Sequence, residues 1–358
     1  MAYTNETTTS IADLVSKLYT WMASNGWTGE HLDVTTTVGT GGEMAMRRIN
    51  GSTQLRMAMS WDSANSGTIL ALYQYYDQNY VIADRPWGQD HDSGNGYAGT
   101  TPDSSLDDER HVALAAAPIQ YWAFEDDDYT HVVVEVTAGN YVHFGWGMLE
   151  KYGDWDGGEY CYGQVENITA ISSGLIALDT VSYHLDGHLN DNSSQLRASG
   201  TEKLAATIHA EGLPNQTANG MWMVSMGGKT TATPQTTFGD DRQSNDGVSS
   251  DVARHMFIDG LRAGAACEGF ARHSAGTDVS GHQAMWELAP RYYDDSTGDT
   301  YGPMGRVPDV RGMNIKNHVG GDEITQGGDT WVVFPAAKKW SSGAGTSGYL
   351  GIAYKKVS

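Results

Sequence analysis

The chain is poor in cysteine, in basic residues and in phenylalanine, and it has no long apolar run. Its 2 cysteines, Cys161 and Cys267, are far apart and form no Cys-x-x-Cys pair. A disulfide framework is therefore excluded, and two buried thiols are the expectation. Lys and Arg number 22 against 44 Asp and Glu, for a formal net charge of −22. Nucleic acid is held by neutralising phosphates with Lys and Arg, so it is not an expected partner. No stretch approaches the roughly 18 apolar residues of a spanning helix, so no membrane partner is expected either. The N-terminus is polar and threonine-rich, without the basic and apolar regions of a secretory signal. Synthesis in a cytoplasm is the expectation.

Glycine (44 residues) and the amphipathic aromatics (11 Trp and 19 Tyr against 6 Phe) are abundant. They point to many turns and to aromatic surfaces, and away from a helical bundle. The most informative stretch runs from His131 to Glu159. His131 to Thr137 reads as a valine-rich strand, Ala138-Gly139-Asn140 as a turn, and Tyr141 to Met148 as the returning strand. In the return, Val142, Phe144, Trp146 and Met148 alternate with His143, Gly145 and Gly147. Glycine at every second position leaves that face open to another backbone or a bulky aromatic.

One helix is expected, near the N-terminus. Ser10 caps it, Asp13 follows three residues later as in a capping box, and Ile11, Leu14, Val15, Leu18 and Met22 mark one face. Asn25-Gly26 stops it. Such a helix is an interaction arm or, more economically, the cover of a sheet face. Strands are expected over Glu43 to Ile49 and Ser52 to Trp61 around an Asn50-Gly51 hairpin turn, and over Thr68 to Tyr76. Asp77 to Arg110 is a long polar loop of the functional or assembly kind. Tyr121 to Phe124 opens the central hairpin, followed by the acidic turn Glu125 to Asp128. A short helix is expected within Asp251 to Arg272, although Gly260 and Gly264 weaken it.

The fold class is thus mainly β with minor α content: an antiparallel β-sandwich-like core, one N-terminal helix and a long loop-rich insertion. Residues 1–182 form the helix and sheet core, 183–330 the inserted region or second domain, and 331–358 a C-terminal hairpin returning to the core.

No catalytic, cofactor-binding or metal residues emerge. Gly227-Gly228-Lys229-Thr230 resembles the tail of a phosphate loop, but Met223 stands where the first glycine is needed, and the same residue spoils a nucleophile elbow. His184 and His188 are four apart, yet Gly187 interrupts any regular helix. Asp154 to Glu159 alternates carboxylates like a short calcium loop but lacks the remaining ligand positions. His209-Ala210-Glu211 matches half of a deaminase signature without its cysteine pair. Paired carboxylates suited to glycoside hydrolysis stand in no recognisable frame. The chain is expected not to be an enzyme and to need no cofactor.

The order of several motifs resembles a group of tailed-bacteriophage virion proteins from tail, baseplate and neck gene clusters. These are Asn25-Gly26-Trp27-Thr28 after a short helix, Tyr121 to Phe124, and then the valine-rich strand. Tyr141-x-His143-Phe144-Gly145-x-Gly147 follows, then Trp331 to Pro335, and Gly348 to Ala353. The likeness spans roughly residues 8–165 and 328–358. It implies a structural virion subunit of the tail or baseplate, assembled in the host cytoplasm and residing in the virion. Its partners would be tail tube, sheath or baseplate proteins, and it would form a homo-oligomeric ring, sixfold symmetry being typical of tails. A receptor- or carbohydrate-binding module, and after it a virion-associated hydrolase, are the alternatives.

Overall fold

The computed structural model describes residues 2–33, 42–51, 53–62, 67–72, 109–114, 118–164, 204–211, 220–225, 255–257, 285–294, 299–303, 305–315, 317–335 and 350–357. The N-terminus supplies strand β1 (Ala2–Thr7) and helix α1 (Ile11–Ser24). Ser10 is extended, and its hydroxyl accepts the Asp13 N–H at 3.0 Å, as an N-cap should. The reciprocal half of the capping box is displaced by one residue: the Asp13 carboxylate accepts from Thr9 N–H at 3.0 Å, and from Lys17 at 3.1 Å. Asn25 ends the helix and Gly26 takes φ 100°, a value that favours glycine. Ile11, Leu14, Val15, Leu18 and Met22 are the buried face, so α1 covers a sheet. Leu14 is fully buried. Leu14→Asp is therefore expected to cost about 3 kcal/mol or more by placing an unpaired carboxylate in the core. A lowered denaturation midpoint would show it, and an unchanged midpoint would make α1 a free arm.

Five antiparallel strands follow as a meander: β2 (Thr28–Asp33), β3 (Gly42–Asn50), β4 (Thr53–Asp62), β5 (Gly67–Leu72) and β6 (Glu109–Ala113). The β3–β4 hairpin falls where Asn50-Gly51 predicts it, but one residue out of register. Asn50 is a strand residue paired opposite Thr53, and Gly51 opens the turn at φ 59°. The Asn50 amide there donates to Asp128 at 3.2 Å. Met44, Met46, Met57 and Met59 lie on the face turned toward α1 and the central sheet. The strand expected to reach Tyr76 is described only to Leu72, and Asp77 to Asp108 lies outside the described residues.

The central sheet has seven strands in the order β1-β7-β8-β9-β11-β12-β13. Its new members are β7 (Gln120–Asp126), β8 (Tyr129–Thr137), β9 (Asn140–Met148), β11 (Asp156–Gln164), β12 (Leu204–Glu211) and β13 (Gly220–Ser225). A short pair, β10 (Glu150–Lys151) with β17 (Gly305–Arg306), stands beside it. Both faces are buried along β7 to β9. Tyr121, Ala123, Val132, Val134, Val142, Phe144 and Trp146 face α1 and the meander. Trp122, Phe124, His131, Tyr141 and His143 occupy the opposite face, against the C-terminal strands.

Those strands are β14 (His255–Phe257), β15 (Met285–Asp294), β16 (Asp299–Pro303), β18 (Val310–Asn314), β19 (Asp322–Gln326), β20 (Asp329–Pro335) and β21 (Leu350–Lys356). They order as β14-β15-β18-β21-β20-β19, with β16 also on β15. The helix expected within Asp251 to Arg272 is corrected at its described part. His255–Phe257 is extended, pairing His255 with Arg291 and Phe257 with Leu288. Helix propensity is a weak preference, and a waiting sheet edge overrides it. The C-terminal hairpin lies face to face on the central sheet, β21 over β7 and β20 over β9. The fold is mainly β, built of antiparallel sheets with one N-terminal helix among the described residues.

Candidate functional site

The polar chemistry of the described residues is concentrated in two buried joints that tie these layers together. The first lies between the central sheet and the C-terminal sheet. Tyr129-x-His131 on β8 and Tyr141-x-His143 on β9 put a tyrosine and a histidine on the same face of adjoining strands, because side chains alternate along a strand. His131 Nδ1 is 2.9 Å from the Tyr162 hydroxyl, and its Nε2 is 3.0 Å from the Pro308 carbonyl. His143 repeats the pattern, with Nδ1 2.9 Å from the Tyr354 hydroxyl and Nε2 2.9 Å from the Pro335 carbonyl. A carbonyl only accepts, so Nε2 carries the hydrogen in each ring and Nδ1 is left facing the tyrosine. The Tyr162 and Tyr354 hydroxyls also share a hydrogen bond, which joins the two halves.

Burial fixes the charge state of this joint. It pushes His131 down to about 3 and His143 down to about 4, while the bonds to the proline carbonyls pull only weakly the other way. The same burial drives the Tyr160, Tyr162 and Tyr354 phenols above their ordinary value. The rings are packed as closely as they are bonded. Tyr354 stacks on Phe124 at 5.1 Å and on His143 at 5.9 Å, and Tyr129 stacks on His131 at 4.7 Å. The Tyr129 hydroxyl donates to Asp309 at 2.8 Å, and Asp309 is held at φ 52° in the turn before β18. Both histidines are neutral, with each Nε2 given to a carbonyl and each Nδ1 facing a tyrosine hydroxyl, so the joint ties the two layers together.

Gly145 makes the His131 half possible. A methyl group there would sit 2.7 Å from the Thr130 carbonyl, 2.9 Å from His131 Nδ1 and 2.9 Å from the Tyr162 ring. The backbone carbonyl has nowhere to go. Gly145→Ala is expected to destabilise by about 2–3 kcal/mol through overpacking and loss of the His131–Tyr162 bond. Chemical denaturation reads this, and a loss below about 1 kcal/mol would mean that the sheets are less closely apposed. The face that Gly145 leaves open is filled from within the chain, by the Thr130 carbonyl and the Tyr162 ring.

The second joint lies between the β3–β4 hairpin and the β7–β8 turn. Arg48 donates to Glu125 at 2.5 Å, to the Asp126 carbonyl at 2.9 Å and to Asp127 at 2.6 Å. The Trp27 indole donates to the same Glu125 oxygen at 3.0 Å. Glu125 is 1% exposed. Burial pushes its carboxyl up, and Arg48 and Trp27 hold it back by favouring the charged form. A more exposed ion-pair group, Arg306 with Glu150 and Glu287, fastens β10 and β15 to β17.

The residues weighed from sequence are placed as follows. Asp154 and Asp156 are exposed at the start of β11, Trp155 between them is buried, and the Trp155 carbonyl accepts from Lys151 at 2.8 Å. Gly157 and Gly158 take φ 92° and 110°, so the segment is a tight acidic bend. Among the described residues no group of three or more His, Cys, Asp or Glu is placed to hold a metal. Cys161 lies on β11 opposite Trp146, and His209 to Glu211 lies on β12. His184, His188, Gly227 to Thr230 and Cys267 lie outside the described residues. The two joints were missed from sequence, although the repeated Tyr-x-His on adjoining strands was a usable signal for the first. No protein-family model and no curated protein sequence matches the chain.

Proposed function

We propose that this chain is a structural subunit of a bacteriophage virion, a tail or baseplate component that assembles into a symmetric homo-oligomeric ring. One observation carries the reading: the motifs that resemble virion proteins are far apart in sequence yet pack as one unit. Trp122 and Phe124 meet Phe334 at 4.9 and 6.4 Å, and His143 reaches the Pro335 carbonyl at 2.9 Å. The polar groups among them serve the joint between layers, which suits a part that must hold its shape under load. Assembly uses the sheet edges. Among the described residues strand β1 pairs only with β7 and is the outermost strand of the central sheet, with Asn5, Glu6 and Thr7 exposed. A neighbouring subunit adds a strand to such an edge, as in other strand-addition contacts.

Cryo-electron microscopy of intact particles from the source tests this. The expected result is density for the chain in a ring at the tail, baseplate or neck, with a neighbour's strand alongside β1. Absence of the chain from particle density and from particle mass spectra would overturn the proposal. Glycan binding by the isolated protein in that case would favour the receptor-binding alternative.

A further inference from the structure

Beside the Arg48–Glu125 joint, one cross-strand row holds three buried polar atoms that no group among the described residues reaches. Glu125 stands opposite Thr130, and Thr130 opposite Trp146, on β7, β8 and β9. All three share the face of Ala123, Val132 and Phe144, turned toward α1 and the meander. Glu125 is 1% exposed, and Thr130 and Trp146 are fully buried. Glu125 Oε2, Thr130 Oγ1 and Trp146 Nε1 nonetheless have no hydrogen-bond partner among the described residues. Opposed residues on antiparallel strands hold their Cβ atoms only about 4.5–5.5 Å apart, so the three side chains are successive neighbours along one row. Trp27 touches both ends of the row, edge-on to Trp146 at 6.2 Å and with its indole N–H given to Glu125 Oε1.

We infer that this row is an internal hydration site, in which one long-lived water molecule bridges Glu125, Thr130 and Trp146. The donor and acceptor inventory suits water. The indole N–H only donates, the threonine hydroxyl does either, and the carboxyl oxygen accepts when charged and donates when protonated. Burial pushes Glu125 up to about 8, so both forms are met near neutral pH. Water accepts from Trp146, bonds Glu125 Oε2 in either form and makes its third bond with Thr130, the usual number for a buried water. The free oxygen of the carboxylate is then solvated inside the protein while Arg48 and Trp27 hold the other.

High-resolution diffraction from the protein, with solution NMR alongside, tests the site. A single density peak within about 3.2 Å of all three atoms is the expected result. An empty site, or a Thr130 hydroxyl turned to donate straight onto Glu125 Oε2, would overturn the inference. In solution the Trp146 indole proton should show a cross-peak at the water frequency, with the sign of a water that resides longer than the tumbling time. The near-isosteric Thr130→Val leaves two of the three partners, so the cross-peak should persist. Its disappearance in that variant would mean that the signal came from the threonine hydroxyl, and the water would have to be given up.

Discussion

Acidification from neutral pH toward pH 4 is expected to strip several kcal/mol of stability from this protein, well before most carboxylates titrate. His131 and His143 have an ordinary value of 6.5 and are held at about 3 and about 4 when folded. Folded values below the unfolded ones mean that the unfolded chain binds these protons more readily. The stabilisation is therefore present above pH 6.5 and is lost as the pH falls through 4 to 3. At about 1.36 kcal/mol per pKa unit, each histidine contributes on the order of 3–5 kcal/mol, against a total stability of about 5–15 kcal/mol for a typical domain. Glu125 runs the opposite way. Its raised carboxyl favours the folded state below 4.5, a contribution lost as the pH rises through its folded value. Urea denaturation between pH 4 and 8 measures the balance. His143→Gln keeps a hydrogen-bonding side chain that does not titrate, so it should flatten the acid limb by about half. An acid limb identical in wild type and variant would mean that His143 is not buried neutral in solution.

Loss of Arg48 is expected to be the most damaging single change at the other joint. Arg48→Met removes the guanidinium and leaves Glu125, 1% exposed, without its counter-ion. Breaking a buried ion pair from one side costs about 3–5 kcal/mol, because the remaining charge is stranded away from water. The cost depends on pH in a definite sense. The Glu125 carboxyl, already pushed up to about 8, rises further without Arg48, so the loss is greatest at alkaline pH and shrinks below about pH 8, where a protonated Glu125 needs no partner. Adding Glu125→Gln to Arg48→Met should recover a large part of the stability, since the amide still accepts from Trp27. A double variant no more stable than Arg48→Met would show that the guanidinium acts through Asp127 and the Asp126 carbonyl instead. Only the cycle separates the two contributions.

What could be read in advance follows the range of the forces involved. The helix was legible to the residue: its cap, its stop and its five buried side chains are all set within one or two turns by local spacing. The β7–β8–β9 hairpins were legible for the same reason, since alternation and turn chemistry are local. At residues 255–257, the described part of the short helix expected within Asp251 to Arg272, the chain is a strand because β15 supplies a pairing partner some 30 residues downstream in sequence. The joints were illegible because their partners are remote. Tyr354 comes 211 residues after His143, Pro308 comes 177 after His131, and Glu125 comes 77 after Arg48. No window of sequence contains both ends of such a bond. A buried histidine and an exposed one look alike until the opposite sheet is in place.

The histidine–tyrosine joint also has one hydrogen too few for its length. From the Pro308 carbonyl through His131, Tyr162, Tyr354 and His143 to the Pro335 carbonyl there are five contacts that call for a hydrogen. Two neutral imidazoles and two phenols bring four. With each Nε2 hydrogen committed to a proline, the gap falls at one of the three inner contacts, much like a defect in a row of ice. The Tyr162 hydrogen can point to His131 or to Tyr354, and the Tyr354 hydrogen to His143 or to Tyr162, with only the mutual clash forbidden. The neutral joint is therefore three proton arrangements of one heavy-atom geometry. A first added proton fills the row and a second has no place in it, so the two histidines should titrate in separate steps rather than together.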